Sequence, residues 1–263
     1  MKELLIIKIG GNIIDDEHAL SAFLADMASI TTPKILVHGG GKLATELSSK
    51  LGIETKMVEG RRITDEETIK VVTMTYAGWI NKNIVARLQA QGLTALGLSG
   101  TDANLIPAVK RPVADIDYGW VGDILTDKIN SAFLSKLIDD GITPIVAPIA
   151  SDGQGHLLNV NADTIAQSLA EALSSMYDTT LVYCFEKKGL LSDVNDESSV
   201  MTEVSQKDAE AMKANGTITK GMVPKIDNAF KAISNGVKTV VIGHAGDIKQ
   251  ITQKQKGYGT YIR

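Results

Sequence analysis

The chain has 263 residues, 44 % of them hydrophobic, which is enough for one large α/β domain or two lobes. Its formal net charge of -4, without a basic run, argues against a nucleic-acid partner, and no apolar segment is long enough to span a membrane. The single cysteine, Cys184, excludes an intrachain disulfide and a multi-cysteine zinc site. Because Met1-Lys2-Glu3 shows no signal-peptide pattern, we expect a soluble cytoplasmic protein without a membrane partner.

Apolar runs alternate with amphipathic stretches along most of the chain, which is typical of α/β proteins. The first half predicts, in chain order, a strand over 4–9, a helix from 15 to 30, a strand over 34–37, a helix from 43 to 52, a long helix from 64 to 91, a strand over 94–100 and a hairpin over 109–121. The second half predicts a helix from 130 or 131 to 141, a strand over 143–149, a helix after 163, a strand over 179–185, a helix from 224 to 236 and a strand over 237–242. We therefore predict an open, mainly parallel central sheet with helices on both faces, in a single domain (1–263) with two lobes, 1–178 and 179–263.

The long helix predicted between residues 64 and 91 has a start signal and two large aromatic residues. Thr64-x-x-Glu67 is the pattern of a capping box, in which the threonine side chain caps the helix. Tyr76 and Trp79 indicate either a subunit surface or core packing, and the sequence leaves both open. Because the helix is long for a globular protein, we expect a homodimer formed through it.

Lys8 interrupts the first apolar run, just before Gly10-Gly11. One interpretation is a lysine that extends to solvent before an ordinary turn. The other is an anion site, because a buried cation needs a counter-charge and glycines leave backbone N–H groups bare. A phosphate group at the carboxyl end of a parallel strand would meet both requirements.

A second glycine cluster, Gly39-Gly40-Gly41, also follows a buried strand. It is not a standard P-loop, because an earlier glycine is missing and Leu43 stands where Ser or Thr is needed. Three successive glycines cost more backbone entropy than a tight turn requires, which favours a loop that holds an anion. His38 precedes these glycines without a second histidine nearby, so we interpret it as structural and predict no metal site in the protein itself.

Two further polar clusters lie in the second half of the chain. Asn159, Asn161 and Asp163 are more polar groups than one helix cap needs, although Asn161 or Asp163 could simply cap the next helix. Gly221 would allow a ligand to approach closely, and Lys225 falls in the first turn of a helix, where the dipole disfavours a cation. An anion held at Lys225 would explain its position better than a solvated surface lysine would.

Arg61-Arg62 is a pair of cations that is either solvated or supplies a bidentate clamp for a carboxylate. With this pair included, five motifs occur in an order that resembles the amino acid kinase family, and the resemblance covers essentially the whole chain. The motifs are Ile7-Lys8-Ile9-Gly10-Gly11, His38-Gly39-Gly40-Gly41, Gly60-Arg61-Arg62-Ile63-Thr64, Asn159-Val160-Asn161-Ala162-Asp163 and Lys220-Gly221-Met222-Val223-Pro224-Lys225.

The resemblance implies an enzyme that forms an acyl phosphate from a carboxylate and ATP, with Mg²⁺ bound through the nucleotide phosphates. Within the family, the motifs favour the side-chain carboxylate of N-acetyl-L-glutamate as the acceptor. Lys8 and Lys225 would hold the transferring phosphoryl group, and Asp163 would orient both lysines. The other implied contacts are Gly10, Gly11, Gly40, Glu186 and Gly221 for the nucleotide and its phosphates, and Gly40, Gly41, Arg62, Asn159 and Asn161 for the amino acid.

The chain departs from the family pattern after the strand that ends near Phe185. Family members commonly carry a Thr/Ser-Asp turn there, whereas this chain has Cys184-Phe185-Glu186-Lys187-Lys188-Gly189, in which Glu186 would replace the aspartate. The chain also begins at its first strand, whereas arginine-inhibited relatives carry an extra N-terminal helix that builds a hexamer. The resemblance therefore implies a dimer without that form of feedback.

Two alternatives stay open. A sister kinase of the same fold would act on another acyl amino acid such as N-succinyl-L-glutamate, or on glutamate, aspartate, carbamate or a nucleotide. A non-catalytic regulatory relative is a different class, and Lys8, Asp163 and Lys225 argue against it because a binding protein would not need all three.

Overall fold

The computed structural model of the chain describes residues 1–58, 60–193, 196, 199–214 and 222–263. Its strands are β1 (Glu3–Ile9), β2 (Lys34–His38), β3 (Met57–Val58), β4 (Arg61–Arg62), β5 (Ala95–Ser99), β6 (Ala108–Lys110), β7 (Gly122–Ile124), β8 (Thr143–Ala147), β9 (Ile149–Ser151), β10 (Leu157–Asn159), β11 (Asp178–Phe185), β12 (Glu203–Val204), β13 (Thr239–His244) and β14 (Thr260–Ile262). Its α-helices are α1 (Gly11–Asp15), α2 (Glu17–Ser29), α3 (Gly41–Lys50), α4 (Glu66–Thr73), α5 (Asn81–Ala90), α6 (Ser131–Asp139), α7 (Ala162–Leu173), α8 (Gln206–Ala214), α9 (Val223–Ser234) and α10 (Ile248–Thr252). A π-helical segment (Met74–Ile80) joins α4 to α5, and short 3₁₀ turns cover Asp102–Asn104, Thr126–Lys128 and Ala245–Asp247.

Eight strands form one sheet in the order β12-β14-β13-β11-β1-β2-β8-β5. Neighbouring strands in it are parallel except β13 and β14, which pair antiparallel near one edge. Shorter antiparallel pairs form β3 with β4, β6 with β7 and β9 with β10. The prediction of an open, mainly parallel sheet is confirmed.

Strand β1 is buried on both faces, which explains its unbroken apolar run. Leu4 and Ile6 pack into one hydrophobic cluster with α6, α7 and α9, whereas Leu5, Ile7 and Ile9 pack into a second cluster with α2, α5 and α10. Each such side chain stabilises the fold by about 1.5–3 kcal/mol on burial. Helices therefore cover both faces of the sheet, as predicted.

The strand order reverses at β1, which pairs with β2 on one side and with β11 on the other. Ligands of open α/β sheets bind at the carboxyl ends of the strands beside such a reversal. Because β11 begins at Asp178 and pairs directly with β1, the sheet is continuous across the predicted lobe boundary. The residues that follow β1, β2 and β11 are thereby brought to one edge of the sheet.

The long helix predicted from 64 to 91 is continuous through α4, the π-helical segment and α5, because the backbone stays right-handed helical at both junctions. The predicted cap was wrong. Asp65 is the N-cap, and its carboxylate accepts a hydrogen bond from the Thr68 N–H at 2.8 Å. Thr64 is buried, and its hydroxyl donates to the carbonyl oxygen of Arg62 at 3.2 Å. The charged Asp65 lies next to the helix start, where the dipole favours an anion.

The two aromatic residues of the π-helical segment face opposite ways. Tyr76 is 5 % exposed and belongs to the core, whereas Trp79 is 68 % exposed. The alternatives left open by the sequence are therefore divided between the two residues: core packing for Tyr76 and an outward surface for Trp79.

Some shorter elements differ from the predictions. The strand predicted over 143–149 ends at Ala147, and β9 (Ile149–Ser151) pairs with β10 away from the central sheet. Strands β12 and β14 and helices α8 and α10 were not predicted, because they are too short or too polar to give a clear periodic pattern. In the described part of the chain, every helix falls short of the length and apolarity that crossing a membrane requires.

Candidate active site

A cleft of about 500 Å³ opens at the carboxyl ends of β1 and β11. It is lined by five residues that the sequence singles out, namely Lys8, Gly10, Gly11, Glu186 and Lys225. Its wall is apolar on the side of Leu190, Leu191, Met212 and Met222. The cleft therefore combines cations and bare backbone amides at one end with an apolar surface at the other. Gly221, also predicted here, lies outside the described residues.

Lys8 lies one residue before the end of β1 and is only 8 % exposed. Its ammonium forms an ion pair with the Asp163 carboxylate, with 2.8 Å between Nζ and Oδ1. Asp163 stands in the first turn of α7, and the Tyr183 hydroxyl donates to its backbone carbonyl at 3.3 Å. The protein thus supplies the counter-charge that a buried lysine needs, and the pair is held at the cleft by elements from both halves of the chain.

Lys225 lies in the first turn of α9, as predicted, and its Nζ is 3.7 Å from the centroid of the Phe185 ring. The Lys8 Nζ lies 5.7 Å from the same centroid. Burial lowers the pKa of Lys225, the nearby Asp163 raises it, and Lys8 lowers it further. The two ammonium groups therefore border one aromatic ring at the carboxyl end of β11.

The two glycine turns adjoin at the same edge of the sheet. Helix α1 begins at Gly11 and α3 begins at Gly41, and a Cβ atom built on Gly39 would lie 3.8 Å from the Gly11 nitrogen. No side chain caps either helix start. Bare N–H groups at such positions are suited to anionic oxygen atoms.

Gly40 has a φ of +148° and packs against the π-helical segment. A Cβ atom on it would lie 2.2 Å from Ile80 Cδ1 and 3.2 Å from Tyr76 Cδ1. Glycine is required here both by the backbone conformation and by this close approach.

Gly40→Ala is therefore expected to lower the free energy of unfolding by about 2 kcal/mol or more, from backbone strain together with overpacking. Urea unfolding of both proteins measures the loss. Gly52→Ala is the matched control, because Gly52 also has a positive φ (+73°) but open space around its Cβ position, so strain alone should cost about 1 kcal/mol. Equal losses in the two variants would contradict the close-packing argument.

Arg62 is 8 % exposed, yet the hydrogen bonds that its guanidinium makes to described residues go to neutral oxygen atoms. It donates to the Gly41 carbonyl at 2.8 Å and to the hydroxyls of Thr45 at 2.7 Å and Thr55 at 3.1 Å. Within the described ranges, no carboxylate forms an ion pair with it. A buried guanidinium without an anionic partner is suited to bind a carboxylate from a ligand.

Asn159 lies near this arginine and not in the 500 Å³ cleft. Its amide donates to the Thr64 hydroxyl at 3.0 Å, and the same hydroxyl donates to the Arg62 carbonyl. Gly41 joins the group through its bond to Arg62. Three of the five residues predicted for the amino acid, Gly41, Arg62 and Asn159, therefore form a second group, which the adjoining glycine turns connect to the cleft.

The remaining predicted residues have mixed placements. Asn161 caps α7, because its side-chain oxygen accepts hydrogen bonds from the N–H groups of Asp163 at 2.8 Å and Thr164 at 3.3 Å. The capping alternative is therefore confirmed for Asn161, and a further contact with substrate stays a prediction. Glu186 accepts a hydrogen bond from the Asn12 amide, which links the residue after β11 to the turn after β1.

His38 is fully buried, and burial lowers its pKa to about 4. Its Nδ1 lies 2.9 Å from the Gly39 carbonyl, and its Nε2 lies 3.1 Å from the Asn81 amide, which fits a neutral ring. Burial also raises the pKa of the Cys184 thiol to about 12, so this thiol is not a nucleophile at neutral pH. Cys184 lines the cleft, but as a neutral side chain.

Sequence patterns did not indicate Phe185 or Asn12 as parts of the cleft. The sequence predicts Phe185 only as the last residue of the strand over 179–185, and no pattern in it assigns a role to Asn12. The available signal was position, because Phe185 ends β11 and Asn12 comes soon after β1, and these two strands are neighbours in a parallel sheet.

Comparison with known proteins gives the family. The profile of the amino acid kinase family matches residues 3–244. The acetylglutamate kinase of Phocaeicola vulgatus is 54 % identical over 264 residues, covering 100 % of this chain and 100 % of the relative. The acetylglutamate kinase of Cytophaga hutchinsonii is 52 % identical over 263 residues, covering 100 % of this chain and 99 % of the relative.

Solved structures agree in fold. The N-acetylglutamate synthase of Neisseria gonorrhoeae, complexed with coenzyme A and N-acetyl-glutamate, superposes with a TM-score of 0.81 at 22 % identity, over 99 % of this chain and 59 % of that chain. The carbamate kinase of Giardia lamblia bound to AMP-PNP gives 0.70 at 14 % identity, over 99 % and 98 % of the two chains. From the family profile and the full-length relatives, the chain belongs to the amino acid kinase family.

Proposed function

We propose that this chain transfers the γ-phosphoryl group of ATP to the side-chain carboxylate of N-acetyl-L-glutamate. The products are N-acetyl-L-glutamyl 5-phosphate and ADP, and the reaction is an early step of arginine biosynthesis in the cytoplasm. The observation that carries the proposal is the identity of 54 % to an acetylglutamate kinase over the whole chain. The geometry agrees with it, since two lysines meet bare glycine amides in one cleft.

The chemistry needs positioning more than proton transfer. A carboxylate is already ionised at pH 7, so no general base is required. One of its oxygens forms a bond to the γ-phosphorus while the bond from that phosphorus to the bridging oxygen breaks, and ADP leaves with the electron pair. Negative charge develops on the oxygens around the phosphorus, and nearby cations and amides stabilise it.

The cleft residues would divide this work. Lys8 and Lys225 would contact the phosphoryl oxygens, and Asp163 would keep the two ammonium groups in place. The N–H groups of Gly10, Gly11 and Gly40 would donate to the phosphates. Two cations and bare amides fit a MgATP ligand, and Mg²⁺ bound through the phosphates would neutralise part of their charge.

We further propose that the two predicted lobes divide the substrates. In residues 1–178, Arg62 would grip a carboxylate of the amino acid that does not react, with Gly41, Asn159 and Asn161 beside it. In residues 179–263, the apolar wall of the cleft, Glu186 and Gly221 would contact the nucleotide. The lack of an anionic partner for Arg62 among the described residues supports the first assignment.

Measuring ADP release with a panel of acceptors tests the proposal. The panel contains N-acetyl-L-glutamate, N-succinyl-L-glutamate, L-glutamate, L-aspartate and carbamate, each with MgATP. We expect the highest kcat/KM with N-acetyl-L-glutamate. A higher value with another acceptor would assign a sister activity, and no ADP release with any acceptor would favour a non-catalytic relative.

We also propose a homodimer formed through the π-helical segment and the α-helices that flank it. Trp79 and Met74 on this segment are 68 % and 53 % exposed, so the segment presents two large apolar side chains that a second chain could cover. Light scattering should give the mass of two chains for the native protein and of one chain for Trp79→Glu. Val113→Glu is the control, because Val113 is 65 % exposed but lies on the β6–β7 hairpin. A native monomer at micromolar concentration would contradict the proposal.

A further inference from the structure

Phe185 is the last residue of β11, half-buried, and its ring lines the cleft. The Lys225 Nζ lies 3.7 Å from the ring centroid and the Lys8 Nζ lies 5.7 Å from it. Both distances are within the roughly 6 Å over which an aromatic ring attracts a cation. Two lysines at one ring, both in the candidate active site, are more than the packing of an apolar side chain requires.

The two lysines depend on this ring to different degrees. Lys8 has the Asp163 carboxylate at 2.8 Å. Among the residues that the structure describes, no carboxylate forms an ion pair with Lys225. Lys225 also stands at a helix N-terminus, where the dipole disfavours its charge, and it is partly desolvated. The ring face lies against this ammonium and favours its charged form, in addition to the attraction from the nearby Asp163.

A second aromatic residue of β11 holds the Phe185 ring in place. Tyr183, two residues earlier on β11, stacks against it with 6.2 Å between ring centroids and 26° between ring planes. The Tyr183 hydroxyl in turn donates to the Asp163 carbonyl. Strand β11 thus fixes the ring, the ring contacts the Lys225 ammonium, and the same strand supports the residue that pairs with Lys8.

We propose that Phe185 is a positioning residue for the two lysines, and that the face of its ring holds the Lys225 ammonium at the cleft before substrate binds. A lysine side chain has several rotatable bonds, and an ammonium that is already in place loses less conformational entropy when the phosphoryl group arrives. This inference rests on the proposed function, because it assumes that Lys225 contacts that group.

Fluorination of the ring tests the electrostatic part of this contact with little change in shape. Fluorine withdraws electron density from the ring face, so phenylalanine with one, two and three fluorines at position 185 should bind the ammonium progressively less well. We expect kcat to fall stepwise along this series, and by roughly 3- to 30-fold in Phe185→Leu, which lacks the ring. The same fluorinated residues at Phe23, which is buried and is not part of the cleft lining, should leave kcat unchanged.

A second readout separates electrostatics from packing. In protein labelled with ¹⁵N at lysine Nζ, the Lys225 signal, assigned with Lys225→Arg, gives the pKa of this ammonium directly. Fluorination removes stabilisation of the charged form, so the pKa should fall along the series. A ring that served only as packing would leave the pKa unchanged.

The outcomes distinguish the inference from the proposed function. A flat kcat and an unchanged Lys225 pKa across the fluorinated series, in proteins with native thermal unfolding, would overturn the role of Phe185. If Lys225→Ala also lowered kcat, the proposed function would survive that result. If Lys225→Ala instead kept near-native turnover, the phosphoryl-transfer role of Lys225 would be wrong, and the inference would fall with it. The fluorinated series decides the case even if Phe185→Leu does not fold.

Discussion

Lys8→Ala and Lys225→Ala are each expected to lower kcat by on the order of 100- to 1000-fold. Each lysine is proposed to meet negative charge that grows as the phosphoryl group moves, and the loss of one such contact typically has this cost. The Michaelis constants should change less, because the contact strengthens in the transition state. Steady-state ADP release measures both quantities, and thermal unfolding shows whether the variants keep the native fold.

A lysine with an equally close ion pair away from the cleft provides the control. Lys238 pairs with Asp178 at 2.6 Å before the start of β13, and Lys238→Ala should keep native turnover. Asp163→Asn should be damaging as well, because Lys8 would lose the carboxylate at 2.8 Å that holds it. Near-native turnover in Lys8→Ala would show that the opening strand does not take part in phosphoryl transfer.

Arg62→Ala is expected to raise the KM for the acyl amino acid by roughly 10- to 100-fold, with a smaller fall in kcat. The guanidinium is proposed to hold a carboxylate that does not react, and a charge-assisted hydrogen-bonded contact is worth about 1.5–3 kcal/mol. Such a contact is made equally in the ground state and the transition state, so its loss acts on affinity. The KM for ATP should stay close to native, and titrating each substrate in turn separates the two values.

Neighbouring residues make this experiment specific. Arg61→Ala is the matched control, since Arg61 is the exposed member of the same strand and should leave both KM values unchanged. Arg62→Lys keeps the charge but not the fork of donors that reaches Gly41, Thr45 and Thr55, so it should also raise the KM. A fall in kcat with unchanged affinity for the amino acid would place Arg62 with the phosphates instead.

The fold could be predicted from the sequence where one interaction dominates. The side chains of the apolar run in β1 point to both faces of the sheet, so they leave water only if helices cover both faces. The burial of β1 on both faces agrees with this. The cap at the start of α4 could not be predicted, because Thr64 and Asp65 are both good capping residues by local chemistry. Tertiary contacts decide between them. The Thr64 hydroxyl is hydrogen-bonded to the Asn159 amide and the Arg62 carbonyl, so Asp65 caps the helix.

The candidate site was likewise predictable only in part. Lys8 lies inside a buried strand that glycines follow, and few ordinary structures need that combination. The sequence could therefore indicate an anion site at Lys8 and its neighbours. Which partner each cation would find depends on elements far apart in sequence. Lys8 takes the Asp163 carboxylate and Lys225 takes the ring of Phe185, and no local pattern distinguishes these two environments. Asn161 shows the reverse case, in which the simplest local interpretation as a cap was right.

The central place of β1 has a consequence for the order in which the chain can fold. Ile9 is paired with His38 on one side and with Cys184 on the other, so one partner strand is close in sequence and the other is distant. During synthesis, β1 and β2 leave the ribosome early, but β1 keeps an open edge until β11 has emerged. Contacts between distant strands form slowly, and an open edge in the meantime is prone to wrong pairing. The ion pair of Lys8 also joins two residues far apart in sequence, so it can form only after Asp163 has been translated.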